Sequence, residues 1–242
     1  MLEHSSKHVK MGTMATRERR AHRRKEALTH ERIVETAVEV LDAAGEGGLT
    51  FRVLTQRLAT GPGAIYWHVA NKDELLDAAT DAVVAAALLP GESVGSPQNE
   101  IRAVALALFD AIETHPWLAT QLAAQFTRNP SGVVTPRIFE HIGQQVRAMG
   151  VPESNWFTAA STLVHYILGA TVQNAANARF LVPDLDRAEF LGTVAKAWEE
   201  LDPDDYPFVR AVADQMRVHD DREQFLTGVD TVLTGITLQL PT

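Results

Sequence analysis

Cysteine is absent from this chain of 242 residues. That excludes disulfides, thiolate catalysis and cysteine-ligated zinc or iron–sulfur centres. No run of about eighteen apolar residues occurs, so no segment is expected to span a membrane. The N-terminus is charged and lacks the apolar stretch of a secretory signal, and a cytoplasmic location is the expectation. Nine histidines and 31 acidic residues are present. None falls into a His-Glu-x-x-His spacing, and there is neither a nucleophile elbow nor a dinucleotide loop. An enzyme is therefore not expected, nor a metal or a cofactor. "GEGG", Gly45 to Gly48, could pass for a phosphate loop. No strand pattern precedes it and no Gly-Lys-Ser/Thr follows, so it reads as a connector. "RVHDDRE", Arg217 to Glu223, clusters a histidine with acids and reads as a solvated helix junction.

What the chain does have is an uneven charge. The total is −9, but residues 1–75 hold 12 Lys/Arg against 10 Asp/Glu, and residues 76–242 hold 10 against 21. The basic excess is concentrated before position 28, from Lys7 and Lys10 through Arg17, Arg19, Arg20, Arg23, Arg24 and Lys25. Residues 1–28 show almost no apolar periodicity and read as a disordered basic arm. Such an arm is either a solvated tail or a contribution to nucleic-acid binding. A hydrophobic content of 45% is normal for a globular protein, and this length suits one domain of ordinary size plus a small one.

Helical spacing dominates the rest. Thr29 reads as the N-cap of a helix with Ile33, Ala37 and Leu41 on its apolar stripe, ending at Gly45. Thr50 opens a second helix, through Leu58, with Leu49 and Leu54 placed as a hydrophobic staple. Ala59 and Thr60 make a tight turn. Gly61 as N-cap and Pro62 at the first helical position start a third helix to about Val69. Asn71 and Glu74 form a capping box for a fourth, to about Leu89. Residues 29–75 thus encode a small three-helix unit, a DNA-binding candidate. Beyond Pro90, helices are expected over 98–114, 116–127, 134–148, 153–181, 187–201, 206–218 and 221–239. No strand pattern occurs in them, and the protein is expected to be all-α.

"GPGAIYWHVANKDEL", Gly61 to Leu75, crowds large polar-edged aromatics beside very small residues. At 100° per residue, Ile65 and Val69 share an inward stripe, while Tyr66 and His68 lie about 100° to either side of it. Pro62, Gly63 and Ala64 keep the first turn low. A helix lying in a major groove needs this arrangement, with phosphate contacts on its flanks. Lys72, in the next helix's first turn, could hold a phosphate oxygen with the free N–H groups there. A core corner would explain Ile65 and Val69 but would not favour three polar edges in a row.

The stretch "ERIVETAVEVLDAAGEGGLTFRVLTQRLATGPGAIYWHVANKDELL", Glu31 to Leu76, resembles the DNA-binding region of tetracycline-repressor-type (TetR) transcriptional regulators. "YWHVANKDELL" is its most specific part, and the likeness continues weakly into "THPWLATQLAAQ", Thr114 to Gln125, and the final helix. The resemblance implies an all-helical homodimer. Its helix-turn-helix DNA-binding domain, residues 29–75, would bind a palindromic operator in double-stranded DNA. Its larger helical ligand-binding and dimerisation domain, residues 76–242, would bind a small-molecule effector, and repression is the default. Arg52 would reach a base edge, Pro62, Gly63 and Ala64 would face the groove, and Thr60 in the turn before them would also meet DNA. Thr50, Tyr66, His68 and Lys72 would contact phosphates, with Trp67 on the exposed face. Ala59 stands where the family usually has Gly, at a cost of up to about 1 kcal/mol. The base-reading side chains common in the family are absent at Gly63 and Ala64, which shifts weight to Arg52, methyl contacts, the basic arm and DNA shape.

The resemblance does not extend to tetracycline. The family's drug-contacting and metal-ligating histidines fall at Leu88 and near Gln121, so a magnesium–tetracycline effector is not expected. Trp117, Gln121, Phe126, Trp156, His165, Gln173 and Asn174 interrupt apolar helices and are candidate lining for an effector pocket. Each has a plainer alternative: core for Trp117 and Phe126, a satisfied interior or interface position for His165, stitching of a dimer for Gln173 and Asn174. Helices 153–181 and 221–239 are apolar on more than one side and are the dimerisation candidates. Their small residues Ala170, Ala175, Gly228 and Gly235 would permit close helix approach. A helical carrier that binds a ligand without DNA is the rival reading.

Overall fold

The computed structural model describes residues 28–89, 95–180 and 186–238. The basic arm expected over residues 1–28 lies outside them apart from Leu28. All the described elements are helical, with no strand among them. They form two compact units, dividing between Ala79 and Thr80.

The first unit is built by α1 (His30–Gly48), α2 (Phe51–Arg57), α3 (Pro62–Tyr66) and the first half of α4 (Lys72–Ala87). Thr29 caps α1, its hydroxyl accepting from the Arg32 amide at 3.2 Å. Ile33, Ala37, Val40 and Leu41 are buried on one face. At Gly45 the backbone turns left-handed (φ 62, ψ −172). The helix breaks there as expected, but a further helical turn follows to Gly48 instead of an open connector. Leu49 and Leu54 are both fully buried on either side of Thr50, whose hydroxyl accepts from the Val53 amide at 3.2 Å. The expected α3 was longer. It stops at Tyr66 because the amides of both His68 and Val69 turn back to the Ile65 carbonyl, at 2.9 and 3.0 Å, tightening the last turn. The Glu74 amide donates to Asn71 Oδ1 at 2.8 Å, and Glu74 Oε2 accepts from the Ala70 amide at 2.7 Å. The capping box therefore closes one residue earlier than its usual form.

In the second unit, α8 (Trp156–Phe180) is the central rod. Around it pack α5 (Pro97–Thr114), α6 (Leu118–Arg128), α7 (Val134–Ala148) and α12 (Asp221–Leu238). Leu163, Val164, Ile167 and Leu168 are buried on it. A short 3-10 turn, Glu153–Asn155, precedes it, where the sequence suggested unbroken helix. α9 (Arg187–Glu199) packs against α11 (Ala213–Arg217). The single helix expected over 206–218 is two, α10 (Pro207–Ala211) and α11, separated by Val212 (φ −100, ψ 3). Gly228 of α12 lies against Tyr166 of α8, and a β-carbon there would overlap the phenol ring. That glycine's small size thus serves packing within the chain, where the sequence had suggested a partner.

Candidate nucleic-acid interface and effector cavity

Between α2 and α3 the chain reverses through Leu58–Gly61. Ala59 has φ 49, the one non-glycine residue with positive φ among those described. A β-carbon in the left-handed region costs roughly 1–2 kcal/mol, so the family's glycine would suit this backbone better. Below the turn, Leu54, Ile65 and Val69 are buried. They hold α2 and α3 to the unit's core and leave the opposite faces free.

None of the ten residues expected to meet DNA is buried. Thr50, Arg52, Pro62, Gly63, Tyr66, Trp67 and Lys72 are exposed; Thr60, Ala64 and His68 are half-exposed. Trp67 is 90% exposed. The Tyr66 ring stacks on Phe51 with centroids 4.6 Å apart and planes 8° from parallel. Lys72 Nζ donates to the Glu46 carbonyl at 2.6 Å, closing the end of α1. An ammonium has three protons, so two remain for an anion. The Thr50 hydroxyl, besides capping α2, retains its own O–H as a donor. Glu31 at the start of α1 is held below the usual carboxylate range, first by backbone amide hydrogen bonding and then by Thr29.

A cavity of about 260 Å³ lies between α5, α8 and the start of α12, and Asn174 alone of the seven expected pocket residues lines it. Trp117 is buried, as is Gln121, whose Oε1 accepts from Arg128 at 3.4 Å. Phe126 faces Phe139 at 6.1 Å, which in turn stacks on Phe157 at 6.0 Å. Trp156 donates Nε1–H to the Val151 carbonyl at 2.6 Å and receives the Arg147 guanidinium on its ring. His165 is exposed on this chain, which removes the interior alternative. Gln173 is exposed and donates to Asn177 at 2.9 Å.

Residues 33–79 match the model for the bacterial regulatory proteins of the tetR family, and residues 89–240 match that for the tetracycline repressor-like C-terminal domain. The chain belongs to the TetR family. The structure of SCO7222, a TetR from Streptomyces coelicolor, is 65% identical and superposes with a TM-score of 0.82 over 88% of this chain and 100% of that one. An HTH-type transcriptional regulator of Saccharopolyspora erythraea is 31% identical over 159 residues, 66% of each chain. The HTH-type transcriptional repressor DrrR1 of Streptomyces coeruleorubidus is 28% identical over 218 residues, 88% of this chain and 78% of its own. TetR-family proteins are transcriptional regulators and not enzymes. They bind DNA and small-molecule effectors, typically as dimers.

Two features of this TetR-family chain escaped the sequence. Phe51 is the platform for Tyr66, and Glu46 supplies the carbonyl that holds Lys72. Neither pairing has a fixed spacing, since each depends on how one helix crosses another. An aromatic at the first position of α2 was the one available signal for the stack. The α5 side of the cavity was likewise missed, because its residues read as an ordinary amphipathic face.

Proposed function

We propose that this TetR-family regulator binds a palindromic operator as a homodimer and leaves it when a small molecule occupies its C-terminal unit. The observation that carries the reading is the α2–α3 surface. Small Pro62, Gly63 and Ala64 stand at the front of a helix anchored by buried Ile65 and Val69. Thr50, Tyr66, His68 and Lys72 are the phosphate-facing groups, and Arg52 is the base reader, contributing of order 1–3 kcal/mol of discrimination toward guanine. Trp67 lies against the backbone with its exposed ring. No helix among the described residues is long and apolar enough to cross a membrane, and a cytoplasmic location suits an operator-binding protein.

Dimerisation is assigned to α8 and α12. Between them runs an open groove of about 360 Å³ that includes Ala159, Thr162, Val232, Gly235 and Ile236. A mate's helices would fill it and bring two α3 helices to a separation near one turn of DNA, about 34–36 Å. Repression is supported by the resemblance to DrrR1, a repressor. A magnesium–tetracycline effector is disfavoured, since the drug-contacting histidine falls at Leu88 and the metal-ligating one near Gln121, and both of these residues are buried.

The test is selection of bound duplexes from a random pool, followed by titration at about 50 and 200 mM salt, where a protein with six to ten phosphate contacts loses roughly 10³–10⁵ in affinity. A two-fold palindrome with steep salt dependence is expected. No enrichment would sink the reading and leave a ligand carrier in its place.

A further inference from the structure

The 260 Å³ cavity has a chemistry of its own. Its α5 side presents Phe109, Ile112 and Glu113, which share one helical face; its α8 side presents Asn174 and Ala175; Asp221, the first residue of α12, stands at the end. Phe109 and Ile112 lie at its bottom, both buried. Phe109 packs on the fully buried Phe225 at 4.9 Å, and Tyr166 stacks on Phe225 at 6.1 Å.

Glu113 and Asp221 give the cavity two carboxylates. Asp110 and Asp220 act with Glu113 on Arg222, and Arg187 pairs with Asp221, so these six groups carry a net charge of −2 before any charge on His219. The two arginines are already committed. Arg222 forms a bidentate pair with Asp110 and lies over the Phe109 ring at 5.6 Å, while Arg187 holds Asp221 at 2.8 Å. Asp221 also takes His219 at 2.8 Å. Glu113 is the loosely held carboxylate, 3.9 Å from Arg222 and with its side chain 66% exposed. Asn174 adds an amide that can both donate and accept.

We propose that this cavity binds a small organic cation with an apolar body, an aromatic or alicyclic primary amine, its ring against Pro116 and Ala175 above the buried Phe109 and Ile112, and its ammonium on Glu113 and the Asn174 carbonyl. An anion meets this net negative charge and is repelled. A neutral ring fits the walls but leaves the carboxylate unused. The volume sits below the roughly 300–1,000 Å³ typical of sites for drug-sized molecules, so the ligand is small. The assignment rests on the reading of the C-terminal unit as effector-binding, and it is tested without DNA so that the two can fail separately.

The experiment is calorimetric titration of the full chain with phenethylamine, 2-phenylethanol and phenylacetate, which share a ring and differ in charge. Phenethylamine is expected to bind saturably, one per chain, at least tenfold tighter than the alcohol, with no binding of the acid. Glu113→Gln is expected to weaken the amine about tenfold and leave the alcohol unchanged. Ala175→Leu, which fills the space, is expected to abolish both; should that variant not fold, the exposed Glu113→Gln carries the comparison. Equal affinity for the three probes, no binding of any, or an amine affinity unmoved by Glu113→Gln would overturn the proposal. Release of a selected operator by phenethylamine, measured separately, makes the amine class the effector class. Amine binding combined with failure of operator selection sinks only the regulator reading.

Discussion

Ala59 shows how a single residue can be read from sequence and then sharpened by geometry. Its place in a Gly-preferring turn was legible; that it adopts φ 49 was not. Glycine relieves the left-handed strain but costs conformational entropy in the unfolded chain, with the strain the larger of the two. Ala59→Gly is therefore expected to stabilise by about 0.5 kcal/mol, raising the melting temperature by a degree or two for a chain of this size. An unchanged or lower melting point would show that the turn is not strained. Lys72 carries two roles, a cap on α1 through the Glu46 carbonyl and a proposed phosphate contact. Lys72→Ala should weaken binding similarly across DNA sequences and lower the salt slope by about 1. If the slope stays put while the first unit melts earlier, the lysine is a cap and nothing more.

At the scale of elements, the helix spans were largely legible because caps and apolar stripes are local. The differences fall at helix ends: α3 closes at Tyr66 as two amides turn back to the Ile65 carbonyl, and the helix expected over 206–218 breaks at Val212. The α8–α12 contact at Gly228 is decided by tertiary packing instead. Gly228→Ala puts a methyl into the Tyr166 ring and should cost about 1–3 kcal/mol by overpacking, seen as a lower denaturation midpoint. Tolerance without loss would mean that α12 can shift. Burial beside α12 also raises Tyr166 above its ordinary value of 10.0, since a phenolate is costly to desolvate. The sign follows: Tyr166's contribution to stability is constant below pH 10, then falls as pH rises through its own ionisation. A spectroscopic titration should find one of the three tyrosines ionising late, and Tyr166→Phe should remove that late step.

For the whole molecule, the proposed dimer makes operator binding inseparable from the α8–α12 groove. Ile236→Asp places a charge in that groove and should yield monomers by sedimentation, with affinity for a palindrome falling toward that for a half-site. Retained dimers would move the interface elsewhere. Thermal stability that rises with protein concentration in the parent chain, and no longer does so in the variant, would be the corroborating sign.

The sequence by itself determined the helical class, the helix-turn-helix and the set of side chains on its outer face. Those depend on caps, 100° steps and turn residues within a few positions of one another. Tertiary structure alone decided that Phe51 supports Tyr66, that Gly228 serves Tyr166 and that Asn174 shares a cavity with Phe109 and Asp221. Those groups lie far apart in the chain or on different helices, and only the packing of one helix against another brings them within reach.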